Sequence, residues 1–235
     1  MIPRFVVFFF LCASLSFAAE TASMRVLAIN TTGTDLYYMN GEGAYLSLEI
    51  TPYRIGRYFQ VAMEAGQKVS VYRKTMVEGK EVYESVASAS IRSVENPHTA
   101  LLRCSPNKWS MAVLDDSFKM KENCQLRLVN SLPVEVMLKI GDDVVEVEAG
   151  GFEVLPVAHK GRRPVVGLIA VYKRSGGEWE QFFNSPKVIL PNSRMTAVAL
   201  LREGGRQAKS DGAEQTSNLE VELFTFSDRL PEALY

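Results

Sequence analysis

Val134-Glu135-Val136-Met137-Leu138, then Gly141-Asp142-Asp143, then Val144-Val145-Glu146-Val147-Glu148, is the stretch whose reading decides the fold class. Apolar and polar residues alternate on both sides of a turn. A period of two puts one face of a strand into a core and the other into water. Gly and Asp between the two runs supply the backbone angles that a tight hairpin needs. Working outward, the same alternation recurs in Val69-Ser70-Val71-Tyr72, Leu126-Arg127-Leu128-Val129 and Leu219-Glu220-Val221-Glu222-Leu223. Turn signals stand at Gly41-Glu42-Gly43, Gly79-Lys80, Gly150-Gly151 and Gly176-Gly177. No stretch after the N-terminal segment carries a helical period, so the expected class is all-β.

The chain also repeats itself at an offset near one hundred residues. Arg25-Val26-Leu27-Ala28-Ile29-Asn30 lines up with Gln125-Leu126-Arg127-Leu128-Val129-Asn130, and Val71-Tyr72-Arg73-Lys74 with Val171-Tyr172-Lys173-Arg174. Ala100-Leu101-Leu102-Arg103 recurs unchanged as Ala199-Leu200-Leu201-Arg202. Three matches in order imply a duplicated unit. Short strands at this spacing predict two tandem β-sandwich domains of immunoglobulin-like type, with an open barrel as the alternative closure. The expected boundaries are 24–118 for the first domain, 119–123 for a polar linker and 124–235 for the second. Glu203 to Asn218, rich in Gly, Gln, Ser and charge, is expected to be a mobile surface insertion.

The first eighteen residues read as a secretory leader. Arg4 gives the positive start, Phe5 to Leu15 the apolar run, and Ser16-Phe17-Ala18 a small-residue cleavage site. The run is too short to span a bilayer of about 30 Å. The expected location is therefore periplasmic or secreted, with no membrane insertion after cleavage. Removing the leader takes away Arg4 and leaves 25 basic against 27 acidic residues. That balance excludes a general nucleic-acid binder, which would be clearly basic. Cys104 and Cys124 remain, and an even pair in an oxidising compartment is expected to form one disulfide. Two buried thiols are the alternative. With only His98 and His159, and no paired metal-ligand spacing, no metal or cofactor is expected.

Nucleophilic catalysis needs a Ser or Cys beside a His base and an orienting acid. No Gly-x-Ser-x-Gly elbow is present, and both histidines read as surface residues. Asp115-Asp116 and Asp142-Asp143 resemble acid pairs, but neighbours on a strand point to opposite faces and Asp is common at turns, so both read as turn residues. Asn30 and Asn130 both read as structural turn residues, although Asn30-Thr31-Thr32 also matches a glycosylation sequon. The expected contact for an anionic partner is the basic loop carrying Lys160, Arg162 and Arg163. The first unit is rich in tyrosine, with Tyr37, Tyr38, Tyr45, Tyr53, Tyr58 and Tyr72 beside Phe59, most of them expected in the core or in cross-strand pairs.

Leu114-Asp115-Asp116-Ser117-Phe118-Lys119-Met120-Lys121, followed by Gln125-Leu126-Arg127-Leu128-Val129-Asn130-Ser131, resembles the middle of the AlgF family, periplasmic accessory proteins of alginate O-acetylation. Pro97-His98-Thr99-Ala100-Leu101-Leu102 looks like that family's penultimate strand of the first domain. The cysteine pair and the Glu203 to Asn218 insertion depart from the family pattern. The resemblance implies a non-catalytic adaptor that binds an envelope protein complex or an anionic polysaccharide while partner proteins do the acyl chemistry. The alternative expectation is a structural or adhesive envelope module with no enzymatic partner. A small hydrolase ranks last.

Overall fold

A computed structural model describes residues 19–29, 35–105, 108–117, 124–157, 165–174, 176–190, 193–203 and 219–229. All regular structure among them is strand. The first unit contains β1 (Thr21–Ile29), β2 (Leu36–Met39), β3 (Tyr45–Ser47), β4 (Phe59–Ala62), β5 (Lys68–Val77), β6 (Lys80–Ser90), β7 (His98–Ser105) and β8 (Lys108–Asp115). The second contains β9 (Cys124–Asn130), β10 (Val136–Ile140), β11 (Asp143–Val147), β12 (Phe152–Pro156), β13 (Val165–Lys173), β14 (Trp179–Val188), β15 (Ser193–Glu203) and β16 (Leu219–Arg229). The first unit therefore starts three residues ahead of the expected boundary. The leader, the linker 119–123 and the loop 204–218 lie outside the described residues.

The strand order proves the duplication. The first unit forms sheets β4-β1-β7-β8 and β3-β2-β5-β6, and the second forms β12-β9-β15-β16 and β11-β10-β13-β14. The two lists are one permutation, strand for strand. In each unit the first and seventh strands pair in parallel, β1 with β7 and β9 with β15, while the other pairs are antiparallel. Matching bulges interrupt β5 at Val71/Tyr72 and β13 at Ala170/Val171. Each unit thus carries eight strands in two four-stranded sheets, with one parallel pair. The opening hairpin is built as expected: β10 and β11 pair Ile140 with Asp143 around Gly141, whose φ of 59° suits glycine.

Alternation then sets two interiors and a layer between them. Met24, Val26 and Ala28 of β1 join Leu36, Val69, Val71, Ala100, Leu102 and Trp109 in the first sandwich core. Leu126 and Leu128 of β9 join Val136, Leu138, Leu168, Ala170 and Ala197 in the second. The opposite faces of β1 and β9 do not meet water. Leu27, Ile29, Leu101 and Leu114 pack on Val129, Val198 and Leu200, with Tyr53, Phe224 and Phe226 at the margin. The four sheets are stacked, with the β4-β1-β7-β8 and β12-β9-β15-β16 sheets back to back.

The same alternation separates the cysteines. Cys104 follows Ala100 and Leu102 into the first core, whereas Cys124 begins the Leu126, Leu128 series of the second. Their side chains point away from each other across the shared layer, so the expected disulfide does not form, and Cys124 Sγ instead donates to Leu190 O at 3.5 Å. His98 is likewise corrected: it is 2% exposed, at the end of the first interior, and not on the surface.

Candidate functional site

The layer between the units changes character along its length. Next to the apolar patch, six of the eight strands of the paired sheets contribute polar residues at the same end. These are Arg25 from β1, Thr99 from β7, Asp116 just past β8, Arg127 from β9, Arg194 and Thr196 from β15, and Asp228 from β16. Arg127 and Thr196 have no exposed surface, and Asp116 and Arg194 are 1% and 2% exposed.

An Arg-Thr-Asp set occurs once in each unit. Arg25 lies opposite Thr99 across the first parallel pair, and its Nε donates to Thr99 Oγ1 at 2.9 Å. Arg127 lies opposite Thr196 across the second, and its Nε donates to Thr196 Oγ1 at 3.2 Å. Thr99 faces Leu114, two residues before Asp116, and Thr196 faces Phe226, two residues before Asp228. The arginines then cross over. Arg25 donates a fork to Asp228, Nη1 to Oδ1 at 2.7 Å and Nη2 to Oδ2 at 2.6 Å. Arg127 Nη1 donates to Asp116 Oδ1 at 2.8 Å. Each unit's arginine thus takes the other unit's aspartate, as in a self-complementary dimer interface built inside one chain.

Asp116 is the hub. Its Oδ2 accepts Thr99 Oγ1 at 2.5 Å and Tyr58 Oη at 2.9 Å, and its Oδ1 accepts Arg194 Nη2 at 3.0 Å besides Arg127. Burial alone would raise the pKa of Asp116, but the Arg127 and Arg25 charges and the Thr99 hydrogen bond hold it below the ordinary aspartate value. Burial and the neighbouring Arg127 charge push Arg194 down to about 10, which still leaves it cationic at neutral pH. Burial would also lower Arg25, but the bond to Asp228 together with the Asp116 and Asp228 charges raises it above the ordinary arginine value. The Arg25 guanidinium covers the Tyr58 ring at 4.7 Å, and burial beside Asp116 raises the pKa of the Tyr58 phenol.

Tyr58 carries the cluster to the surface, being 45% exposed on its outer side. There it lines a groove of about 530 Å³ with Tyr38, Phe59, Arg54, Arg57 and Glu49. The groove exists because the connection from β3 to β4 runs through 48–58, while its counterpart from β11 to β12 takes only 148–151. The longer segment is held against β1 by Tyr53 N to Ala28 O at 2.9 Å and Gly56 N to Val26 O at 2.9 Å.

Sequence reasoning singled out other residues. Lys160, Arg162, Arg163 and His159 lie outside the described residues, as does Asn30. Asn130 is the structural residue it was read to be: its Nδ2 donates to Val134 O, Val147 O and Glu148 O, and its Oδ1 accepts Leu132 N. Of the tyrosines, Tyr37, Tyr45 and Tyr72 form cross-strand contacts in β3-β2-β5-β6, where Tyr45 stacks on Tyr83 at 4.0 Å and Tyr37 meets Tyr83 edge-on. Tyr38 instead packs on Phe59, and Tyr53 and Tyr58 belong to the layer between the units. Asp116 was read as a turn residue and is the most heavily bonded acid of the interface. One signal pointed to it: charged Arg25, Arg127 and Arg194 sit within otherwise apolar strands and need a buried counterion.

No protein-family model matches the chain, and no curated protein does. Among solved structures it is similar to a protein provisionally assigned to cell adhesion in Bacteroides eggerthii, at 9% identity, covering 90% of this chain and 97% of that one with a TM-score of 0.24. A likeness of that size decides neither fold nor role.

Proposed function

We propose that the protein is an exported, non-catalytic structural or adhesive module, in which two β-sandwiches act as one rigid body. The observation that carries this reading is the exchange of arginines and aspartates between the units. Two domains on a flexible tether reorient freely, whereas buried charge pairs are satisfied in one geometry only, because any slip leaves a desolvated charge without its partner, and so they select one orientation. A body of that kind transmits force and presents its outer sheets and grooves at fixed spacing. The Phe5 to Leu15 run supports export. The test is retention: labelled mature protein is added to intact producing cells and to isolated envelopes. Saturable binding supports the module, and complete recovery in the supernatant overturns it. The adaptor role in polysaccharide O-acetylation makes a separate demand, loss of acetyl groups from the exported polymer when the gene is deleted.

A further inference from the structure

The groove beside Tyr58 is an elaboration of one copy of a duplicated fold, and such differences are where function is added to a scaffold. It opens between β3 and β4, which are edge strands among the described residues, paired there with β2 and β1 respectively. Segment 48–58 forms its wall and is ordered by pairing with β1, through Leu27 with Ile55 and Ala28 with Pro52. Tyr53 sits there at a φ of 57°, in the left-handed region that non-glycine residues seldom adopt. Its ring is locked into the layer between the units, near Phe224 and under the Arg202 guanidinium at 5.3 Å. Strain of this kind persists only where surrounding structure overrides it, and it clusters at ligand clamps.

The chemistry of the groove is aromatic and, with Arg54 and Arg57 against the single acid Glu49 in its lining, net cationic. Tyr38, Phe59 and the outer side of Tyr58 supply aromatic surface. Arg54 and Arg57 stand exposed at the rim, and neither pairs with an acid among the described residues. We propose that this groove binds an extended acidic segment of a partner polypeptide, lying along the β3 edge with an apolar or aromatic side chain against Tyr38 and Phe59 and carboxylates on Arg54 and Arg57. Open strand edges accept extended peptides through their main-chain groups, and alternate side chains then enter flanking pockets. The second unit lacks the wall and should not bind such a segment.

This assignment rests on the reading of the protein as a binding module and names the partner class. The experiment uses the mature chain and a fluorescein-labelled decapeptide of alternating Glu and Phe or Val, with a Lys-for-Glu version as control, followed by fluorescence anisotropy. The acidic peptide should bind saturably and the Lys peptide should not. The double variant Arg54→Ser with Arg57→Ser, which removes two exposed charges at the rim, should bind roughly tenfold more weakly, and the difference should shrink as salt rises. Three results would overturn the proposal: no saturable binding by the wild type, equal binding by the double variant, or tight binding of a uronic-acid oligosaccharide that the peptide cannot displace. Loss of peptide binding with retention on envelopes intact sinks the groove alone, whereas loss of both sinks the module.

Discussion

The two sandwich interiors and the layer between them bury side chains by opposite means. Val136, Leu138, Leu168 and Ala170 pack into a cluster of apolar side chains in the second core, as Val69, Val71, Ala100 and Leu102 do in the first. The layer between the units instead buries Arg25, Arg127 and Arg194 around Asp116 and Asp228 beside an apolar patch. Apolar contact stabilises without direction, so an interior of aliphatic residues tolerates small slips of one sheet over the other. Charged groups out of water tolerate none, because each must find its partner at bonding distance or remain desolvated. The comparison teaches that the cores make each unit fold and that the ion layer fixes how the units sit together.

The sharpest way to break that division is Asp116→Ala. It strands Arg127 and Arg194 in a buried layer and should cost about 3–5 kcal/mol in chemical denaturation, with the transition splitting as the units uncouple. A single transition with an unchanged midpoint would mean that the ions contribute nothing. Leu138→Ala, in a fully buried aliphatic site of the second core, should cost about 2–5 kcal/mol and lower the stability of its own unit without uncoupling the pair.

A double-mutant cycle on Arg25→Met and Asp228→Leu measures the exchanged pair directly. The coupling should be about 1–3 kcal/mol, and additivity within a few tenths would remove the Arg25–Asp228 fork from the account. Acid titration sharpens the comparison further. Asp116 is held below its unfolded value of about 3.9, so its contribution is complete above that pH and is lost as pH falls through the lower folded value. Wild-type stability should therefore fall more steeply below about pH 4 than that of Asp116→Asn. Lys74→Ala should leave the denaturation midpoint close to that of the wild type, because the Lys74–Glu81 pair lies at the exposed surface where water and salt screen it. Smallest of all is the effect of reductant: with Cys104 and Cys124 in separate cores it should leave the melting temperature unchanged, and a clear drop would show that the sulfurs do join.

The duplication was legible in sequence, but its register was not. The motif Arg25, Thr99 and Asp116 corresponds to Arg127, Thr196 and Asp228, offsets of 102, 97 and 112, and the bulges in β5 and β13 correspond at 99. The sequence matches had paired Arg25 with Gln125 and Ala100 with Ala199. A slip of two residues leaves every side chain on the same face, so an alternating pattern looks equally good in either register. The geometry of the buried ions decides between them.

The sequence by itself determined the all-β class, the hairpin at Gly141, the two tandem units and the structural turn role of Asn130, because each follows from local periodicity or turn chemistry within a few residues. Only the tertiary structure decided that the second face of β1 and β9 is buried, that Asp116 is a counterion and not a turn residue, and that Cys104 and Cys124 point apart. The physical reason is the same in each case. Alternation tells which residues share a face, but not whether that face meets water or another sheet, and it is the facing sheet that sets the charge state and partners of what it covers.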